Sequence, residues 1–337
     1  MKSYELHEFD SSKHQVLNED VTGGSRPRVM VRNLATKQKS LIKIYKEKPT
    51  ELWAEMMASK LGSKMGFEVQ ATSLRIADVG LKSALKEIYG DRSLENWNGL
   101  VAQVNYILPA KTNFHYGNQF ILRSRGHDES FSLKELEDAL RSAYPSSEDL
   151  LQKFADMVVF DFIIGNSDRH SGNWAIAVHA DYPSQLGLFR LSTEDRANIS
   201  KYRAFAKLFD HGDSLLYELE DRKVTRMINE GETALHRYTS RAYLSYLRNE
   251  AGQRACLFDV IAEKLRGRAG DQNKWKSYFK APIDRVKDFN QYEVAKTIAQ
   301  MPNNEDLCYS SDRKDLLLRV IQYRLNLLKK LLSESTQ

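Results

Sequence analysis

Cysteine is nearly missing from this sequence. Among 337 residues there are two, Cys256 and Cys308, too few for a disulfide scaffold or a four-thiolate zinc site. No apolar run approaches the ~20 residues that a membrane-crossing helix needs, and residues 1–10 lack the apolar core of a secretory signal. Charge of one sign is not concentrated either. Lys and Arg number 50 against 45 Asp and Glu, a net +5, with no long basic run of the kind that marks a nucleic-acid binder. Internal repeats and low-complexity tracts are absent too. These absences lead us to expect a soluble protein of a reducing compartment that binds no nucleic acid and has no transmembrane segment. What is present is an ordinary globular balance, 42% hydrophobic and 28% charged, which excludes a disordered chain and supports a buried core. At roughly 150 residues per domain the length fits about two domains, or one enzyme with two lobes.

The two halves differ in texture. Residues 28–32 (Arg-Val-Met-Val-Arg) and 40–45 (Ser-Leu-Ile-Lys-Ile-Tyr) alternate like half-buried strands, with a polar hairpin turn at 33–38. A helix is expected from Pro49–Thr50, with Thr50 as N-cap, Leu52, Met56, Leu61 and Met65 at helical spacing, and Gly66 as C-cap. Strands follow over 69–77 and 100–108. The second half reads as helical: 132–143 with a Ser132–Glu135 capping box, 147–164 with an increasingly apolar end, 232–248, 254–265, and a last helix over 315–332. A strand-rich lobe before a helical one is an α+β pattern, with the cleft between as the natural ligand site. We place the division at 1–110, a nucleotide-binding N-lobe, and 111–337, a helical C-lobe with catalytic and metal-binding loops.

The chemistry-bearing segment is Gly165-Asn-Ser-Asp-Arg-His-Ser-Gly-Asn-Trp174, a polar loop between two apolar stretches. Asp168 can face a hydroxyl and Asn173 a hard cation. Further on, Lys207-Leu-Phe-Asp-His-Gly-Asp213 supplies a second acid, Asp210. Magnesium takes oxygen ligands, commonly one or two carboxylates plus substrate phosphates. Phosphoryl transfer needs such a set, with a further Asp near the attacking hydroxyl. In isolation the loop could equally be a surface turn, with Asp168 and Arg169 paired and His170 packed. Upstream, Lys43 sits within an apolar strand, where a charge must be used or must snorkel to solvent. Glu55, on the next expected helix, is its candidate partner; Lys46 and Glu51 are alternatives, and an edge-strand lysine facing solvent is another reading. Thr22-Gly-Gly-Ser-Arg26 can form a loop whose backbone N–H groups meet phosphates, or a plain turn. It is neither a Walker A sequence nor a GxGxxG loop.

Taken together, residues 164–174 and Leu208-Phe-Asp-His-Gly-Asp-Ser-Leu215 resemble the HipA-like serine/threonine kinases, chiefly their shorter CtkA-type members. Residues 55–62, 106–109, 115–118, 298–302 and the last helix extend the resemblance over most of the chain. It implies a bilobal protein-kinase-like fold, ATP, Mg2+ and transfer of the γ-phosphate to a Ser or Thr hydroxyl of a protein substrate, autophosphorylation included. By position, Asp168 matches the catalytic Asp; Asn173 and Asp210 match the metal ligands. Lys43 matches the ATP lysine and Glu55 its partner. Gly23, Gly24, Ser25 and Arg26 match the phosphate loop, with Arg169, His170 and His211 in support. The glycine loop departs from ordinary kinases in having fewer glycines, and the metal motif reads Asp-His-Gly, so regulation by a packed Phe is not implied. Phosphate on Thr22 or Ser25 would put negative charge where ATP binds and is expected to inhibit. The Asp-Arg-His-x-x-Asn string is also similar to phosphatidylinositol 3- and 4-kinases, for which the basic tract 264–276 is a candidate lipid-facing surface or a solvated helix face. A non-catalytic nucleotide- or partner-binding pseudokinase is a third reading, opposed by the intact Lys43, Asp168, Asn173 and Asp210 set. The chain is expected in the cytoplasm or as a secreted effector delivered to a host cell. With no helix-turn-helix segment here, any antitoxin or regulator is expected as a separate chain.

Overall fold

The computed structural model describes residues 4–17, 27–45, 49–95, 97–106, 111–121, 130–144, 146–182, 199–240, 243–249, 251–267, 274–301 and 310–335. The first lobe contains β1 (His7–Glu8), β2 (His14–Leu17), β3 (Arg28–Asn33), β4 (Lys39–Lys43), α1 (Pro49–Lys64), β5 (Thr72–Ile76), α2 (Val79–Tyr89) and β6 (Leu100–Tyr106). The six strands form one sheet in the order β1-β5-β6-β4-β3-β2, antiparallel except for the β1–β5 pair.

Alternation along β4 decides what each face carries. Ile42 joins Val29, Val31 and Val101 beneath Leu81 and Leu85 of α2. Leu41 turns the other way with Leu17, Met30 and Val104. Lys43 shares the face of Leu41, two residues on, and its register neighbours are Arg28 and Ala102. α1 packs on β5 and β6. Its Leu52, Trp53, Ala54, Met56, Met57, Ala58 and Leu61 are all buried, the pattern of a helix enclosed on every side.

The second lobe continues with β7 (Thr112–Tyr116), α3 (Asn118–Ile121), β8 (Phe131–Ser132), α4 (Leu133–Ala143), α5 (Glu148–Ile164), β9 (Ala175–His179), β10 (Arg203–Phe205), α6 (Asp221–Glu230), α7 (Glu232–Ser240), β11 (Tyr243–Arg248), β12 (Arg254–Cys256), α8 (Leu257–Arg266), α9 (Lys274–Val286), α10 (Gln291–Ala299) and α11 (Ser311–Glu334). β10-β9-β7 is an antiparallel sheet, and β12-β11-β8 a mixed one. α5 runs through the core, with thirteen buried residues from Leu150 to Ile164. It packs on α8, α9 and α11. Among the described residues no helix is long and apolar enough to cross a membrane.

Several expectations need correction. Residues 232–248 are not one helix: α7 stops at Ser240, and Tyr-Leu-Ser-Tyr-Leu-Arg pairs as β11 with β12 and β8. Its two tyrosines are of a strand-favouring type, and pairing partners far away in sequence decide the outcome. Thr50 is not an N-cap; it lies inside α1, and its hydroxyl donates to Tyr217 O at 3.0 Å. The strand expected over 69–77 shortens to Thr72–Ile76, while Val69 makes an isolated parallel bridge to Leu208. The Ser132–Glu135 capping box forms as expected, with both reciprocal hydrogen bonds present.

Candidate active site

Lys43, at the end of β4, is buried. Its Nζ lies 3.0 Å from Glu55 Oε1 and 2.9 Å from Asp210 Oδ1. Burial disfavours its charge, but Asp210 and then Glu55 outweigh burial and raise its pKa above the ordinary lysine value. The lysine is therefore held as a cation between two carboxylates from different lobes. Glu55, 1% exposed, comes from the middle of α1. Its second oxygen, Oε2, accepts from the His211 backbone N–H at 2.7 Å. One carboxylate thus ties the strand lysine to the Asp-His-Gly segment. Asp210 is a non-glycine residue at φ 60°, in the sparsely populated left-handed region.

The loop bearing Asp168 begins where α5 ends. Gly165 takes φ +67°, and a Cβ there would fall 2.3 Å from Arg324 Nη1. Glycine is required by backbone and space together. Arg324, buried on α11, donates to Ile163 O at 3.3 Å and supports the helix end. Beyond it the Asp168 N–H donates to Asn166 Oδ1 at 3.1 Å, and Gly172 N–H to His170 Nδ1 at 3.0 Å. Asn173 Nδ2 donates to Asp168 O at 2.7 Å, which turns the loop back on itself. The loop closes on Trp174, stacked on Phe205 at 5.9 Å and edge-on to Phe154 at 5.4 Å.

Arg169 joins both loops from inside. Its Nε and Nη2 lie 3.0 and 3.1 Å from the two oxygens of Asp161, with both side chains fully buried. Nη1 donates to Asn173 O at 2.7 Å and to Phe209 O, and Nη2 donates to His211 Nδ1 at 3.0 Å. Burial pushes the Asp161 carboxyl up while Arg169 draws it back. Asn166 and Tyr246 add donors at 3.3 Å each, and four donors on two oxygens keep it the anionic partner. His211 is forced neutral by burial, then by Arg169 and Lys43, so its Nδ1 is free to accept from Arg169.

The Asp168 carboxyl is pushed above its usual range. Burial is the first cause; His170 opposes it, and the Asp213 and Asp210 carboxylates add to it. Asp168, Asp210 and Asp213 therefore share one electrostatic environment. The oxygen donors suit a hard cation. Asn173 has its amide nitrogen committed to Asp168 O, which leaves Oδ1 as the atom that could meet a cation. Among the described residues no group of three or more His, Cys, Asp or Glu could cage a metal alone; magnesium commonly completes its shell with water and substrate phosphates.

The structure thus brings Lys43, Glu55, Asp210 and His211 into contact, and Asp168, Arg169, His170 and Asn173 into the adjoining loop. Gly23, Gly24, Ser25 and Arg26, with Thr22 and the alternative Lys46, lie outside the described residues. The alternative Glu51 is buried near Tyr217 and has no ion pair with Lys43. The basic tract is partly neutralised: Lys264 pairs with Glu263, Arg266 with Glu334 and Lys274 with Glu148, at 3.1, 2.8 and 3.6 Å. Sequence reasoning missed Asp161, Asn166, Asp213, Tyr217 and the Thr50 contact. Only Asp161 carried a signal, an acid within the apolar run 157–164, which demands a buried partner.

No protein-family model and no curated protein sequence matches the chain. A solved structure does: the crystal structure of a Helicobacter pylori proinflammatory kinase, CtkA, superposes with a TM-score of 0.67 at 15% sequence identity, covering 95% of this chain and 96% of that one. The fold is bilobal and kinase-like. At this identity the likeness speaks for the fold alone, along almost the whole chain. It extends to the CtkA-type resemblance and not to the phosphatidylinositol kinases.

Proposed function

We propose that the chain is an ATP- and Mg2+-dependent serine/threonine protein kinase of the HipA-like type. The observation that carries this reading is the double ion pair of Lys43, at 3.0 Å to Glu55 and 2.9 Å to Asp210, within a kinase-like fold. A strand lysine paired to a helix glutamate is the arrangement that aligns ATP phosphates in kinases. Here the same lysine also reaches Asp210, which supports reading the lysine and the Asp-His-Gly segment as parts of one site.

In this reading Lys43 binds phosphate oxygens and Glu55 fixes its position. Asp210 and Asn173 would hold magnesium, which when bound neutralises charge on the phosphates. Asp168 orients the acceptor hydroxyl and takes its proton, a role for which a raised pKa is suited. Arg169 and His211 keep the two loops in register from beneath. The partner is a protein bearing an acceptor Ser or Thr, and any antitoxin or regulator is a separate chain.

The deciding experiment incubates purified protein with ATP and Mg2+ and reads intact mass. It is paired with phosphoproteomics after brief expression of wild type and Asp168→Ala. Phosphate on Ser or Thr in wild type alone supports the proposal. Turnover only with phosphoinositide vesicles would make it a lipid kinase, and ATP binding without turnover a pseudokinase.

A further inference from the structure

α11 turns an apolar stripe to the core, with Leu316, Val320, Ile321 and Leu328 buried along it. Two arginines, Arg313 and Arg324, stand in the same stripe, 3% and 2% exposed. They are eleven residues apart, close to three full turns, so they leave the same side of the helix ~16 Å from one another. A guanidinium among aliphatic neighbours needs acceptors for its donors, and both arginines find them in backbone carbonyls. Arg324 Nη1 donates to Ile163 O at 3.3 Å, in the last turn of α5. Arg313 donates to Leu216 O at 2.9 Å and to Leu219 O, and reaches Asp221 Oδ1 at 2.9 Å.

The two segments gripped in this way flank Asp168 and Asp210, and backbone hydrogen bonds join them to each other. Ser167 N and Oγ donate to Asp213 O at 3.1 and 3.3 Å, and Leu215 N donates to Ile164 O at 2.9 Å. The second segment is bent. Leu215 and Leu216, both buried, take φ 54° and 65°, a region where non-glycine residues persist only if their surroundings over-determine them. Arg313 on Leu216 O supplies part of that constraint, and the Thr50 hydroxyl of α1, on Tyr217 O at 3.0 Å, supplies more. Arg324 is the costlier of the two arginines. Among the described residues no carboxylate is hydrogen-bonded to it; the Tyr238 ring lies 5.5 Å from its guanidinium, and the Tyr238 hydroxyl donates to Glu218 at 2.7 Å. What meets its charge directly is the carbonyl end of α5, the negative end of that helix.

Resting on the kinase reading, we propose that Arg313 and Arg324 are positioning residues: from one face of α11 they hold the start of the catalytic loop and the segment after Asp210 in a single register. Arg324 fixes the end of α5, from which the chain runs through Gly165 to Asp168. Arg313 fixes the bend at Leu216, from which the chain runs back through Asp213 to Asp210. The Ser167–Asp213 and Ile164–Leu215 hydrogen bonds then lock the two segments together between the grips. A buried cation with no acid beside it adds little to stability, so Arg324 is kept for where it places the loop. Neither arginine meets substrate; both act through the backbone that carries Asp168 and Asp210.

The test uses the full-length protein with Arg324→Met, Arg324→Lys and Arg313→Met. Kinetics with Mg–ATP and an acceptor should show kcat lowered about tenfold in Arg324→Met, with the KM for ATP within about twofold of wild type. The melting temperature should stay within a few degrees, because the methionine removes an unpaired buried charge along with the hydrogen bond. Arg324→Lys keeps the charge and one donor but not the fork, and should retain more kcat than Arg324→Met. A second readout needs no turnover: amide exchange at Ser167 and Leu215, whose N–H groups join the two segments, should quicken in Arg324→Met and Arg313→Met, with the amides of β3 and β4 unchanged. Full kcat in Arg324→Met, or a kcat that falls only in step with melting temperature, would overturn the proposal. So would unchanged exchange at Ser167 and Leu215. Should Arg313→Met fail to fold, the two Arg324 variants decide. Wild-type protein that transfers no phosphate would sink the kinase reading instead, and the exchange experiment would still decide whether α11 holds the two segments together.

Discussion

Arg169 has its whole guanidinium inside the protein, and this decides how the site tolerates change. Breaking a buried ion pair by removing one partner leaves an uncompensated charge and costs ~3–5 kcal/mol, whereas replacing both partners with apolar groups is often neutral or stabilising. Asp161→Asn should therefore lower stability by about 3 kcal/mol in urea unfolding, and Asp161→Leu with Arg169→Met should recover much of that loss. The double variant should remain inactive, because Arg169 also binds Asn173 O, Phe209 O and His211 Nδ1, and apolar groups replace none of these bonds. The acids above this pair should behave differently from it. Asp210→Ala should abolish transfer and Mg-dependent ATP binding with cooperative unfolding preserved, since Lys43 keeps Glu55 as its partner. Asp168→Asn should lower kcat on the order of 10²–10⁴-fold with ATP affinity nearly unchanged, because the role proposed for it belongs to the transition state. If ATP affinity falls in step with rate, Asp168 is a metal ligand and the roles assigned here are wrong.

At the scale of elements, the catalytic loop is held by its neighbours in space more than by its own turn propensities. Gly117, between β7 and α3, accommodates the Trp174 ring: a Cβ there would lie 2.3 Å from Trp174 Cζ2 and 2.8 Å from Ser171 O. Gly117 N and Asn118 N donate to Trp174 O and Ser171 O at 3.1 and 3.0 Å. Gly117→Ala should displace 171–174, costing about 1–3 kcal/mol by overpacking and reducing transfer through Asn173. Ser132→Ala, which removes the capping-box hydroxyl of α4, should cost about 1 kcal/mol and leave kcat unaltered. Comparing melting temperature with kcat for the two variants separates loop placement from general stability. The same contrast explains what could be read in the sequence. β3, β4, α1, α4, α5 and α11 were visible because local alternation, apolar spacing or a cap encoded each. Lys43, Asp168, Asn173 and Asp210 stood out because polar residues interrupted apolar runs. β11 and Tyr217 were not legible, since strand partners and the Thr50 contact lie far away along the chain. α9 carries Pro282 in its interior, which reads locally as a break.

For the whole molecule, the consequence is that the two lobes already touch through charged groups at the cleft. Lys43 and Glu55 belong to the first lobe and Asp210 and His211 to the second, joined by contacts of 2.9 and 2.7 Å. Behind α1, Lys64 pairs with Glu293 of α10 at 2.8 Å, and Tyr4 N donates to Gln300 O at 2.6 Å. α1 is thus anchored to the second lobe at its front and its rear, and the lobes should unfold together. A ligand bound across the cleft should then stabilise the entire chain. Mg–ATP at 100 times its Kd should add about 2.7 kcal/mol, from RT ln(1 + [L]/Kd), seen as one upward-shifted thermal transition. ATP without Mg2+ should shift it less, because Asp210 and Asn173, the metal ligands of the proposed reading, would then be left out of the bound state. Asp210→Ala should erase the difference between the two conditions. A Mg-dependent shift that persists in Asp210→Ala would place the metal elsewhere. Two separate transitions, with only the first responding to nucleotide, would show that the lobes are not coupled through Lys43, Glu55 and α10.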